Sequence, residues 1–466
     1  MNTSAAIIIS PHSLDFSRDI VYLCLPDTGA SIRTKPVASP AGLHHSRRTT
    51  PEATKKHYNN MTQIKSQRYV ALDVLRGMTV AGMILVNNPG SWGHIFPPLA
   101  HAAWAGCTPT DLVFPFFLFV VGAAMAFSFA KYNEGLTPDS VKKLVKRGIL
   151  IFLVGFGLNW FPFYPTSPNP DLSVWENFIY RLEHVRIIGV LQRIAMCYIL
   201  GGFVALWLQK AKKIIPAMAV LMGLHWLILW LIGDSSAEMV NGAAGAFSLA
   251  GQGADNIDLA IFGVDHIYKG FGIPFDPEGL LGSLSGACTV LLGFLIGKKI
   301  QQTPEKIDVV AQLYTIGLCC LAGGLVWSIC YPIIKALWTG SYVLYAGGWC
   351  IIMLAFFIYL IDIKGKEKIF TPFKAMGMNP LFAFVMAGLF AKILGQIIKW
   401  KATVVMADGA VQEKTWSVLS WFYNNVCIAI VGENNEVSSL MFALVYVAVF
   451  TAMAMWLYKK KIVIKL

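Results

Sequence analysis

Charge is what this chain has least of. Only 14% of its 466 residues are Asp, Glu, Lys or Arg, against about 25% in a soluble globular protein. That scarcity excludes an ordinary water-soluble domain. Windows of about 20 residues without a single charge recur along the chain, and that is the length a helix needs to cross a bilayer. Also missing are CxxC pairs, zinc-type spacings and a disulfide framework. Most of the cysteines, including Cys197, Cys288 and Cys350, fall inside apolar runs and read as small buried residues. No metal site is expected. HExxH, GxSxG, Walker A and dinucleotide-binding patterns are absent as well, so nothing suggests a protease, a lipase-type hydrolase or an ATPase.

What is present is hydrophobic length. With 56% hydrophobic residues, the chain reads as an all-α, polytopic membrane helix bundle in a lipid bilayer, because long apolar runs span as helices. Ten spans are expected, near 72–88, 110–130, 147–161, 187–208, 214–232, 279–297, 309–330, 342–362, 376–396 and 438–457. The run 416–431 contains Asn424 and Asn425. It is expected to be re-entrant or interfacial, with an eleventh span as the alternative.

The formal charge of +12 does not point to nucleic acid. Its lysines crowd alternate connections: Lys142, Lys143, Lys146 and Arg147, then Lys210, Lys212 and Lys213, then Lys364, Lys366 and Lys368, then Lys459, Lys460 and Lys461. The other connections hold few. By the positive-inside rule the crowded side is cytoplasmic, with both termini there, which requires an even number of spans. A multi-pass protein of a cytoplasmic (inner) membrane follows. Residues 1–60 are rich in Ser, Thr, Pro, His and charge without periodicity. They read as a disordered tail or an extension ahead of a start at Met61, with 61–466 as the membrane domain.

The stretch Asn87–Phe119 carries the chemistry. It places His94, His101, several Trp and Pro, and a single charge, Asp111, between two apolar helices on the outer side. An imidazole there can act as a general base near neutral pH. Asn87 could donate to a developing oxyanion. Asp111 could orient the ring or simply cap the following helix. Cys107 is a candidate nucleophile with no sign of activation. Ionisable groups inside spans are costly and need a reason. Asp73 and Arg76 read as a local ion pair. Gln192 and Arg193 lie one to two turns into a span beside Arg186. Such an Arg needs either a protein carboxylate such as Asp111 or a ligand phosphate or carboxylate. Asp276-Pro277 and Glu278 look like a helix cap, with a contribution to the site as the alternative. Asn379-Pro380 interrupts a helix and frees an amide, and His225 reads as a hydrogen-bonded core residue.

RYVALDVLRGMTVAGMILVNN and HAAWAGCTPTDLVFPFFLFVVGAAM, together with VRIIGVLQRIAMCY, DPEGLLGSLSGACTVLLG, LWTGSYVL, GMNPLFAFV and YKKKIVIKL, resemble the membrane domain of the heparan-α-glucosaminide N-acetyltransferase family and its bacterial relatives. The resemblance runs in order through 65–466. It implies a transmembrane acyltransferase that moves acetyl from cytoplasmic acetyl-CoA to the amino group of a glucosamine-type sugar on the far side. His101 in the His-Ala motif would be the active-site histidine and Asn87 its asparagine. The spacing between the two is longer here, which leaves the acceptor open. Arg147, Gln192, Arg193 and Asn379 are the candidates for holding the CoA, and a homodimer is compatible with the family. The rival readings are an amino-sugar or glycan-fragment transporter without acyl chemistry, and a non-catalytic membrane scaffold.

Overall fold

The computed structural model describes residues 69–130, 135–405 and 411–464. The expectations for residues 1–60 and for a start at Met61 lie outside them.

Among the described residues ten helices run to 18 residues or more. They are α1 (Val70–Asn87), α2 (Pro109–Phe129), α3 (Pro138–Trp160), α5 (Val190–Leu208), α6 (Ala211–Ile232), α8 (Leu280–Gln302), α9 (Lys306–Trp327), α10 (Gly340–Ile363), α12 (Pro380–Ile397) and α14 (Glu436–Lys459). Among the described residues, nine of them are long and apolar enough to cross a membrane. The tenth, α3, departs from the expected span at 147–161. Its first half carries Asp139, Lys142, Lys143, Lys146 and Arg147, so its apolar part covers about 20 Å at 1.5 Å per residue. The chain is a multi-pass helical membrane protein.

Shorter elements fill the ends: α4 (Val174–Glu183), α7 (Ala254–Phe262), α11 (Thr371–Met378) and α13 (Val418–Val431). One feature was not expected from the sequence. Lys399–Val405 (β1) and Val411–Ser417 (β2) pair antiparallel, with Trp400 opposite Trp416. The segment expected at 416–431 therefore starts as the end of a strand, and only Val418–Val431 is helical. The alternation of polar and apolar residues in KWKATVV favours a strand over a helix here.

The bundle centres on α8, which packs against α2 and α5. The backbones come very close. A Cβ on Gly122 would fall 1.9 Å from the Val290 carbonyl oxygen, and one on Gly293 would fall 1.9 Å from that of Phe119. Small residues at such crossings allow dense packing where lipid offers no hydrophobic drive between helices. Gly77 and Gly377 do the same for α1 and α11.

At the lysine-rich end, Asp362 accepts hydrogen bonds from the backbone N–H groups of Val70 and Ala71, which satisfies the start of α1. Asp73 and Arg76 form the expected local pair at 2.6 Å. His225 is buried and hydrogen-bonded to the Tyr331 hydroxyl at 2.6 Å, also as expected. The opposite end carries the longer connections 88–108, 161–189, 233–279 and 328–339, and these build a cleft.

Candidate functional site

Thr108 and Pro109 open α2, and Asp111 stands in its first turn. Asp111 Oδ2 accepts from the Thr108 N–H, closing the helix start, and from the N–H of Ala102 at 3.0 Å. That second bond folds the loop back so that His101 lies over the helix end. The imidazole Nδ1 then sits 2.7 Å from Asp111 Oδ1. Asp111 is almost fully buried, while the His101 side chain is 48% exposed. The Tyr342 hydroxyl donates to the Asp111 carbonyl at 2.6 Å and ties the turn to α10.

A third group completes the arrangement. Lys335, from the 328–339 connection, places Nζ 3.2 Å from Asp111 Oδ1 and 3.0 Å from His101 Nδ1. The sequence reading missed it. Its signal was a lone lysine between apolar neighbours, in Ile333-Ile334-Lys335-Ala336, on the side otherwise poor in lysine. A carboxylate oxygen only accepts, so at 2.7 Å the proton between Asp111 and His101 belongs to Nδ1. The neutral ring therefore carries its lone pair on Nε2.

These residues line a cleft with about 890 Å³ of empty space, part of it open to solvent. Its walls include Trp104, Tyr268, Phe271 and Trp338, and its charged members besides Asp111 and Lys335 are Arg186, Arg193 and Glu278. Trp104 is fixed through its indole N–H to the Phe247 carbonyl.

Arg186 and Arg193 find different partners. Arg186 donates from Nε and Nη2 to Asp276 at 2.9 and 2.6 Å, and from Nη2 to Glu278. Burial by itself would lower its basicity, but the Glu278 and Asp276 carboxylates more than offset this and hold the guanidinium charged. Among the described residues no carboxylate pairs with Arg193. It donates to the carbonyls of Pro277 and Gly279 and stacks 5.0 Å over the Trp338 ring. Its Nε is buried without a partner.

Asp276-Pro277 and Glu278 were expected to cap α8, and the structure corrects this. The helix begins at Leu280, and the Leu280 N–H is accepted by Asp258, which reaches across from α7 at 3.0 Å. Asp276 accepts the Glu278 N–H at 2.9 Å ahead of the helix, and both carboxylates serve Arg186 at the cleft wall, the alternative the sequence left open. A charge pair at a cleft wall outcompetes capping because Arg186 would otherwise be left half-buried without a counter-ion. Burial first, and then the Asp276 charge, push the Asp258 carboxyl up to about 6.

Of the residues singled out from the sequence, His101, Asp111, Arg186, Arg193 and Glu278 meet in this cleft. Asn87 is exposed at the end of α1 and does not line it. Arg147 is exposed on α3 and stacks on Tyr198. Gln192 is buried, donates to the Ile187 carbonyl and packs on Gly155. Asn379 is buried where α11 ends and α12 begins. Its amide is not free: it donates to the Ile462 carbonyl and accepts from the Ile464 N–H. His94 lies apart from His101, 3.9 Å from Glu436 at the start of α14. Cys107 is close to Asp111, and burial together with that carboxylate pushes its thiol up to about 12, which disqualifies it as a thiolate nucleophile near neutral pH.

The model of the family "Heparan-alpha-glucosaminide N-acetyltransferase, catalytic" matches residues 68–243. The heparan-alpha-glucosaminide N-acetyltransferase of Homo sapiens is 27% identical over 366 residues, covering 68% of this chain and 52% of the relative. That of Mus musculus is 25% identical over 368 residues, covering 69% and 53%. The chain spans about half the length of the curated relatives it matches. These matches support membership of the heparan-alpha-glucosaminide N-acetyltransferase family, in line with the resemblance read in order through 65–466.

Proposed function

We propose that this chain belongs to the heparan-alpha-glucosaminide N-acetyltransferase family and is itself a transmembrane N-acetyltransferase. It takes acetyl from acetyl-CoA supplied on the cytoplasmic side and passes it to the amino group of a glucosamine-type sugar on the other. The single observation that carries the reading is the Asp111–His101 contact at 2.7 Å inside an aromatic-walled cleft. It leaves an imidazole Nε2 as a base, while Trp104, Tyr268, Phe271 and Trp338 offer flat apolar surface of the kind a sugar ring covers.

In the direct route the acceptor amine attacks the thioester carbonyl. His101 Nε2 takes the amine proton, the C–S bond breaks, and that proton ends on the CoA thiolate. In the two-step route His101 Nε2 attacks the thioester carbonyl and the C–S bond breaks to release CoA thiolate; the amine then attacks the acetyl-histidine, the N–acetyl bond to Nε2 breaks, and the amine proton passes through Nε2 to the thiolate. Negative charge that develops on the carbonyl oxygen faces a cleft wall bearing Lys335 and Arg193. The membrane is proposed to be a cytoplasmic one, oriented by the lysine distribution.

The test is an acceptor screen with labelled acetyl-CoA, using protein purified in detergent. Labelled N-acetyl product with the wild type and none with His101→Ala is the expected result. Uptake of amino sugar by proteoliposomes with no acetyl-CoA consumption would overturn the reading in favour of a transporter. Rapid-quench single turnover separates the two routes, since only the second accumulates acetyl on His101.

A further inference from the structure

We infer that Lys335 is a positioning residue that keeps His101 in its neutral, base-competent form. The inference deepens the acetyltransferase reading and rests on it for its catalytic meaning, but not for its geometry.

The argument starts from proton bookkeeping at one nitrogen. Nδ1 of His101 faces Asp111 Oδ1 at 2.7 Å and Lys335 Nζ at 3.0 Å. An imidazole nitrogen either donates or accepts. If Nδ1 accepted from Lys335, two lone pairs would oppose each other at 2.7 Å with no proton between them. Nδ1 therefore donates to Asp111, and Lys335 satisfies the same carboxylate oxygen at 3.2 Å. The ammonium is then a cation held against the ring without a hydrogen bond to it.

Two effects of that cation have the same sign. It neutralises Asp111, which alone would favour a protonated ring, and it opposes positive charge on the ring directly. The Asp111 carboxylate by itself favours positive charge on the ring, and the ammonium opposes that bias.

The other charged groups around the cleft leave this assignment to Lys335. Arg186 is committed to Asp276 and Glu278. Arg193 on α5 is committed to the Pro277 and Gly279 carbonyls. Glu278 lines the same cleft but is taken by Arg186. Cys107 is held as a neutral thiol by burial, and the buried Tyr342 hydroxyl donates to the Asp111 carbonyl. Among the described residues, Lys335 is the cation recorded against both Asp111 and His101.

The experiment reads His101 directly. Diethyl pyrocarbonate acylates neutral imidazole, and the half-exposed ring is within its reach. Its rate at His101, followed by peptide mass spectrometry across pH, is compared in wild type, Lys335→Arg, Lys335→Met and Lys335→Gln. The Gln side chain keeps a donor for Asp111, so it guards against a fold lost in the Met variant. Thermal unfolding is followed in parallel.

The midpoint of the acylation curve is expected to rise by about 1 pH unit in Lys335→Gln and Lys335→Met and to stay in place in Lys335→Arg. The acid limb of acetyl transfer is expected to move with it. Activity would fall by up to about tenfold on the acid side of the profile and recover on the alkaline side, which a merely structural role would not produce. Coincident acylation curves in folded wild type and Lys335→Gln, or a downward shift, would overturn the inference. If the wild type transfers no acetyl group while the curves still separate, the enzymatic reading fails and the role of Lys335 stands.

Discussion

Asp111 holds His101 with one carboxylate oxygen and the start of its own helix with the other. Oδ1 lies 2.7 Å from the imidazole Nδ1, and Oδ2 accepts the N–H groups of Ala102 and Thr108. Orienting the histidine and capping α2 looked like alternatives for one residue, and they prove to be one arrangement.

Asp111→Asn should therefore cost both stability and activity. Losing the charge-assisted bonds is expected to destabilise the fold by about 1–3 kcal/mol. Misorienting the base should slow acetyl transfer by at least about 100-fold. His101→Ala should match the activity loss with little change in thermal unfolding, because the ring is half exposed. Equal melting temperatures for the two variants in detergent would contradict the shared role.

Cys107→Ala should keep wild-type acetyl transfer. A thiol pushed up to about 12 is protonated at neutral pH, and iodoacetamide should leave Cys107 unmodified at about pH 7.5 in the folded protein. Rapid alkylation with parallel inactivation would reverse this.

Asp258 predicts a pH dependence of stability. Its carboxyl is pushed up to about 6 in the folded protein, above the ordinary value near 4. The folded state thus binds the proton more tightly than the unfolded one. The stabilisation is fully present below about pH 4 and is lost as pH rises through about 6, amounting to some 2–3 kcal/mol. Asp258→Asn keeps an oxygen for the Leu280 N–H and should flatten unfolding curves across that window. An unchanged slope would sink the prediction.

Gly282 makes room for Arg193. A Cβ there would lie 2.0 Å from Nη2, so Gly282→Ala should displace the guanidinium from the Pro277 and Gly279 carbonyls. A stability loss of roughly 1–3 kcal/mol is expected from the unpaired buried cation. Restoration of wild-type stability in Gly282→Ala/Arg193→Met, but not in Gly282→Ala alone, would identify the cause.

The helical membrane class, the alternation of connections, the local Asp73–Arg76 pair and the importance of Asn87–Phe119 were legible from residue order. Apolar length and lysine distribution act locally, through the cost of placing charge or unpaired backbone in lipid. His101 and Asp111 are ten residues apart on one turn, so their meeting was within reach of the sequence. Lys335 lies 234 residues from His101, and Arg186 lies 90 from Asp276. Their contacts depend on how α2, α5, α8 and α10 pack, which no local pattern encodes. The same packing sends Asp258, and not Asp276, to the start of α8, and it occupies the Asn379 amide with the backbone of residues 462 and 464. The chain's order determined that His101 and Asp111 lie in a connection at one end of a membrane bundle. The tertiary structure alone decided which charges surround it, because a half-buried ion takes the partner that packing brings within about 3 Å, however distant in the chain.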